Sequence, residues 1–180
     1  MSVLIYTENW DGKFKKLSFE LVSYASAIAE KMNGPVVVLS IGNVADEELK
    51  KLGAYGASKI LSVNDQRLTH LVNQPYASII AQAAAKEQSK VVLFAHNNTG
   101  KALAPRVAVK CKAGMAAAVT AAPSSIDPFV VRKKVRCKLI NSRFIMPHHT
   151  IKPLTPPLSE RSSLHLIPSN LLIAIRNRQG

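Results

Sequence analysis

The sequence predicts an α/β fold, an open and mostly parallel doubly wound sheet, followed by an irregular C-terminal tail. Two observations predict the sheet. Short apolar runs rich in Val, Ile and Leu read as strands buried on both faces. They alternate with stretches whose apolar residues recur every three or four positions, the mark of helices with one apolar side. Such alternation gives parallel strands, right-handed crossovers and helices covering both faces. A third observation, charge, sets off the tail. Residues 1–128 hold 14 Lys/Arg against 10 Asp/Glu, whereas residues 129–180 hold 10 Lys/Arg against Glu160 alone. Most of the net charge of +13 therefore belongs to the C-terminal end.

Ser2–Thr7 (SVLIYT) is the first strand, closed by the polar Glu8-Asn9-Trp10-Asp11-Gly12. Leu21, Val22, Ala25, Ile28, Ala29 and Met32 line one side of a helix that Ser18 would cap and Asn33-Gly34-Pro35 would stop. Val36–Ile41 is a second strand, and Asp46 to Leu52 a short charged helix ending at Gly53. Lys59–Val63 is a third strand, followed by a helix from Tyr76 to Lys86. Val91–Ala95 and a helix from Lys101 to Lys110 complete the regular part. Ala116–Ala122 and Phe129–Val135 could add one or two strands.

At 180 residues and 47% apolar, the chain can build one ordinary domain with a core of Ala, Val, Leu and Ile, plus an extension. The N-terminus has no basic region before Glu8, so no signal peptide is expected. No apolar run approaches the roughly 20 residues of a membrane span. Cys111 and Cys137 are expected as reduced thiols, and a cytoplasmic protein without membrane insertion is the default. His148 and His149 beside Cys137 fit no common zinc spacing, so no metal is expected. The tail's basic residues lack interleaved aromatics, so a nucleic-acid partner is not expected either.

In a doubly wound sheet, ligands bind beyond the C-terminal strand ends, where the strand order reverses. The loops there are residues 8–13, 42–44, 64–66 and 96–101. The last holds the best local motif, His96-Asn97-Asn98-Thr99-Gly100-Lys101. Thr99 could cap the following helix, whose free amides could hold an anion such as phosphate. It is not a Walker A loop, because Ala95 stands where a glycine is needed and Ala102 follows the lysine. Read alone, such a segment is more often an ordinary capped helix start. Pro105 falls within the first two turns of the expected helix, where its missing amide matters little. Arg106 is a candidate interdomain or phosphate contact, with a solvated or locally paired arginine as the equal alternative. Glu8 and Asp11 lack a partnering His, Cys or carboxylate pair, so no catalytic constellation is expected and the chain reads as a non-enzyme.

Four segments together resemble the N-terminal domain of the electron transfer flavoprotein alpha subunit. They are Val3 to Gly12 with the following helix to Ala29; Val38 to Gly42 with Glu47-Glu48-Leu49 and Gly53 to Lys59; Pro75-Tyr76 through Ala84; and Thr99-Gly100-Lys101-Ala102-Leu103-Ala104-Pro105-Arg106-Val107-Ala108, continuing through Lys112-Ala113-Gly114. The resemblance covers residues 1–135. It implies an adenine nucleotide alpha hydrolase-like fold and an electron carrier that pairs with a beta subunit. Acyl-CoA or related dehydrogenases would reduce that complex and a quinone oxidoreductase reoxidise it. FAD belongs to a separate C-terminal domain of the family, without counterpart in these 180 residues, so no cofactor-binding residue is expected on this chain. Thr99, Gly100, Lys101 and Arg106 stay as anion or interface candidates. An alternative is a stand-alone adenine-nucleotide-binding module of universal-stress-protein type, whose Gly-rich phosphate loop is missing here.

Residues 136–180 are expected as an irregular basic tail, the product of a shifted reading frame or a disordered arm. Five of the ten prolines lie in the last 34 residues, at Pro147, Pro153, Pro156, Pro157 and Pro168. Leu171–Ile175 is an apolar run that the sequence pairs with nothing.

Overall fold

Val3 and Ile5 of the first strand, β1 (Ser2–Thr7), pack into one apolar cluster, while Leu4 and Tyr6 between them pack into another. That single strand shows why the apolar runs are continuous: a sheet layered on both faces buries every residue along it. The computed structural model describes residues 1–68, 70–126, 129–132 and 171–176. On the first face lies helix α1 (Lys16–Met32) with Leu21, Val22, Ala25 and Ile28, joined by Leu49 and Leu52 of α2 (Asp46–Gly53). On the second lie α3 (Asn73–Lys86) with Ile80 and α4 (Asn98–Lys110) with Leu103 and Val107.

β1 pairs in parallel with β4 (Val36–Ile41) on one side and β6 (Ser89–Ala95) on the other; β4 pairs in parallel with β5 (Lys59–Val63). Strand order therefore reverses between β1 and β6, as a doubly wound sheet requires. Just beyond β1, β2 (Asn9–Trp10) and β3 (Lys13–Phe14) form a small hairpin in place of the simple turn expected. Asp11 (φ 48°) and Gly12 (φ 74°) make its two-residue turn, the left-handed pair that matches strand twist.

Some boundaries differ from expectation. α1 begins at Lys16, so Ser18 is inside its first turn and not its cap; the Ser18 hydroxyl donates to the Glu8 carbonyl at 3.2 Å. α3 begins at Asn73, three residues earlier than its apolar spacing suggests. α4 begins at Asn98, which moves Pro105 into the helix interior. There it removes the amide that would pair with the Lys101 carbonyl. The strand expected at Ala116–Ala122 is β7 (Ala113–Val119), and a short hairpin of β8 (Ser125–Ile126) and β9 (Phe129–Val130) follows it.

One strand falls within the expected tail. Leu171–Arg176 is a strand, β10, inserted between β6 and β7 and antiparallel to both. The apolar run that had no partner in the sequence has two in the fold. Period alone could not show this, because the pairing joins positions about 80 residues apart in the chain, such as Ile173 with Leu93. Opposite β10 the register slips, and Ala118 takes a left-handed φ of 56°, as at a bulge. The rest of the expected tail, with Cys137, His148 and His149, lies outside the described residues.

Candidate functional site

The loops that leave β1 and β6 meet at the reversal of strand order. Glu8, directly after β1, receives a hydrogen bond from the Asn97 side-chain amide at 2.5 Å on one carboxylate oxygen. Its other oxygen receives one from the Thr99 hydroxyl at 2.7 Å. The Asn97 side chain also caps α4, its oxygen accepting from the Gly100 amide at 2.8 Å. Asn97 thus fills the role expected of Thr99, while Thr99 ties the helix to β1. A carboxylate of the chain itself stands beside the positive end of the α4 dipole, where it is favourably placed.

Gly100 lets this happen. A Cβ there would lie 1.9 Å from the Ala95 carbonyl oxygen, so only glycine lets α4 approach the end of β6 so closely. Lys101 and Arg106 are exposed and face neither of the cavities described below. The Arg106 guanidinium donates to the Ala102 carbonyl of its own helix at 2.5 Å. Of the four candidates, the structure brings Thr99 and Gly100 together at the switch point and leaves Lys101 and Arg106 outside it. The His96 imidazole is held below its ordinary pKa, first by desolvation and then by Lys101.

Two cavities flank the Glu8–Thr99 contact. One, of about 430 Å³, opens at the ends of β1, β4 and β5, between Glu8, Asp11 and Asp65 on its acidic side and Tyr6, Tyr76 and Leu71. Asp65 is paired with the Arg67 guanidinium at 2.7 Å, whose hydrogen bonds hold its carboxyl down at about 2. The second, of about 330 Å³, lies under Trp10, whose ring carries the Lys15 ammonium 4.0 Å from its centre. Neither fits FAD. The larger has three carboxylates and no Lys or Arg on its wall, which opposes a diphosphate, and the only cation of the smaller is committed to Trp10.

Sequence reasoning placed the loops but missed the role of Glu8. Glu8 was read as lacking a partner because its partners, Asn97 and Thr99, are neutral donors.

Comparison with known proteins adds the family. Residues 3–143 match the electron transfer flavoprotein domain. The chain belongs to that family. The match runs beyond Val135, so the electron transfer flavoprotein character extends further into the basic region than the residues alone suggested. The electron transfer flavoprotein subunit alpha of Megasphaera elsdenii is 31% identical over 118 residues, covering 66% of this chain and 35% of that protein. A subunit of the NAD- and ferredoxin-dependent lactate dehydrogenase of Acetobacterium woodii is 30% identical over 118 residues, 66% of this chain and 28% of its own length. The acryloyl-CoA reductase electron transfer subunit beta of Anaerotignum propionicum is 27% identical over 128 residues, 71% of this chain and 35% of its own. This electron transfer flavoprotein chain therefore spans about a third of the length of the curated relatives it matches. Among its described residues no helix is long and apolar enough to cross a membrane.

Proposed function

We propose that this chain is a fragment of an electron transfer flavoprotein alpha subunit, with residues 1–135 as a platform domain that pairs with a beta subunit. In that role it serves electron transfer from primary dehydrogenases, of acyl-CoA or related type, to a quinone oxidoreductase in the cytoplasm. It acts as a carrier component and not as a catalyst. The observation that carries this reading is the family match over residues 3–143 together with relatives named as electron transfer subunits.

The surface supports docking over catalysis. Trp10, Met115, Val130 and Val109 are large apolar side chains left exposed, Val109 to 79%. At the strand ends, the groups that could act on a substrate are occupied with one another: Glu8 with Asn97 and Thr99, and Asp65 with Arg67. The physical task of such a domain is to present a rigid face, and the Gly100 contact and the Asn97 cap fix that face at the switch point. Affinity would come from covering the apolar side chains.

Co-expression with a beta subunit of the family tests the reading. A co-eluting heterodimer and a rise in soluble yield are expected. Two well-folded monomers that elute separately at micromolar concentration would refute it.

A further inference from the structure

We propose that the outer side of α4, with the turn that follows it, is the face through which this chain takes its beta subunit, and that the partner meets it with carboxylates around an apolar centre. The inference rests on the docking reading above and deepens it, giving the partner a place and a charge.

Helix geometry sets the face. Leu103, Ala104, Val107 and Ala108 turn inward onto the sheet. At about 3.6 residues per turn, Pro105 and Val109 then run along the opposite crest, with Lys101 on one flank and Arg106 on the other. All four are exposed. Val109 is 79% exposed, and none of the large apolar side chains described is more open. Lys110 and Lys112, also exposed, close the C-terminal end of the helix. Beyond the turn, Met115 stands 45% exposed on β7. Ala117 packs into the cluster under α3 and α4, so Met115, two residues earlier on the strand, points to the same side of the sheet.

Charge is the second, separate observation. Residues 98–126 hold Lys101, Arg106, Lys110 and Lys112 and no Asp or Glu. On other elements Lys16, Lys51, Lys59 and Arg67 each have a carboxylate partner, whereas the ion pairs of the described residues include none of these four. An apolar crest between unpaired cations has the layout of a protein interface, an apolar centre inside a charged rim. Such a rim selects a partner of the opposite sign. A second copy does not fit, because a twofold contact would set the same four cations against themselves. Nucleic acid would use the charges but leave Pro105 and Val109 against phosphate, and the crest offers bases no aromatic ring to stack on.

Titration of the full chain with a purified beta subunit of the family, at low and at physiological salt, is the test. Binding that weakens as salt rises is expected. Arg106→Glu combined with Lys110→Glu should weaken it at least about tenfold, since like charges then meet across the interface. Val109→Ala should weaken it about fivefold. All three positions are exposed, so circular dichroism and melting temperature should match those of the parent. Lys16→Glu combined with Lys50→Glu makes the same charge change on the helices of the opposite face, α1 and α2, and should leave affinity unchanged. A complex indifferent to the first pair, or weakened equally by the second, overturns the inference and leaves the docking reading standing. No complex with the parent at micromolar concentration overturns both. A DNA duplex whose binding the first pair abolishes while the beta complex persists overturns the inference too, and assigns the face to nucleic acid.

Discussion

Replacing Gly100 by alanine tests how the switch point is built. In an open helix the change would stabilise the chain by about 0.5–1 kcal/mol, because glycine loses more backbone freedom on folding. Here the new methyl group would sit 1.9 Å from the Ala95 carbonyl oxygen, about 1.5 Å short of ordinary contact. The obstacle is backbone at the end of a central strand, so it cannot rotate away as a side chain would. Either α4 lifts from β6 or the strand end bends. Overpacking of this kind costs about 1–3 kcal/mol. The Asn97 side-chain oxygen, 3.3 Å from the same methyl, must give way too, weakening a cap worth about 1 kcal/mol. The balance is a net loss of about 2 kcal/mol, or roughly 4–8 °C in Tm for a chain of this size. Urea unfolding followed by circular dichroism measures it. Gly53→Ala is the control: nothing lies within 4 Å of a Cβ there, and stability should hold or rise slightly. A Gly100→Ala protein as stable as the parent would refute the close-approach argument.

Four further outcomes follow from the same structure. Leu103→Ala, in the fully buried layer between α4 and the sheet, should cost about 2–5 kcal/mol in urea unfolding. Tyr24 is pushed up to about 12 by burial, while its hydroxyl donates to the Ala121 carbonyl at 3.0 Å. The unfolded chain loses this proton near pH 10 and the folded chain keeps it to about 12, so stability should fall as pH rises through that window, and Tyr24→Phe should flatten the fall in alkaline unfolding curves. Truncation after residue 132 removes β10 and exposes the facing edges of β6 and β7; light scattering should show aggregation, and a soluble truncated protein with unchanged Tm would deny β10 its place. The purified chain should show no visible flavin absorption, given the acidic cleft; a yellow protein would contradict this.

What the sequence determined by itself is the order of the elements through β6, the two-sided burial of the sheet and the location of the ligand loops. These are local properties. Continuous apolar runs such as Val36–Ile41, the 3.6-residue spacing of Leu21, Ala25 and Ile28, and the stop at Asn33-Gly34 each act within a few residues, so period and turn chemistry suffice to read them. The family was legible for a related reason, since motifs such as Thr99 to Ala108 keep their spacing within one helix. Only the tertiary structure decided which distant groups meet. Glu8 gained its role from Asn97 and Thr99, about 90 positions away. Gly100 became indispensable because of the Ala95 carbonyl, which a local reading treats as ordinary strand. Leu171–Ile175 looked like chance because a strand's fit depends on its neighbours' edges, and those edges, β6 and β7, lie far back in the chain. Non-local pairing leaves no period in the sequence, and the switch point consists almost wholly of such pairings.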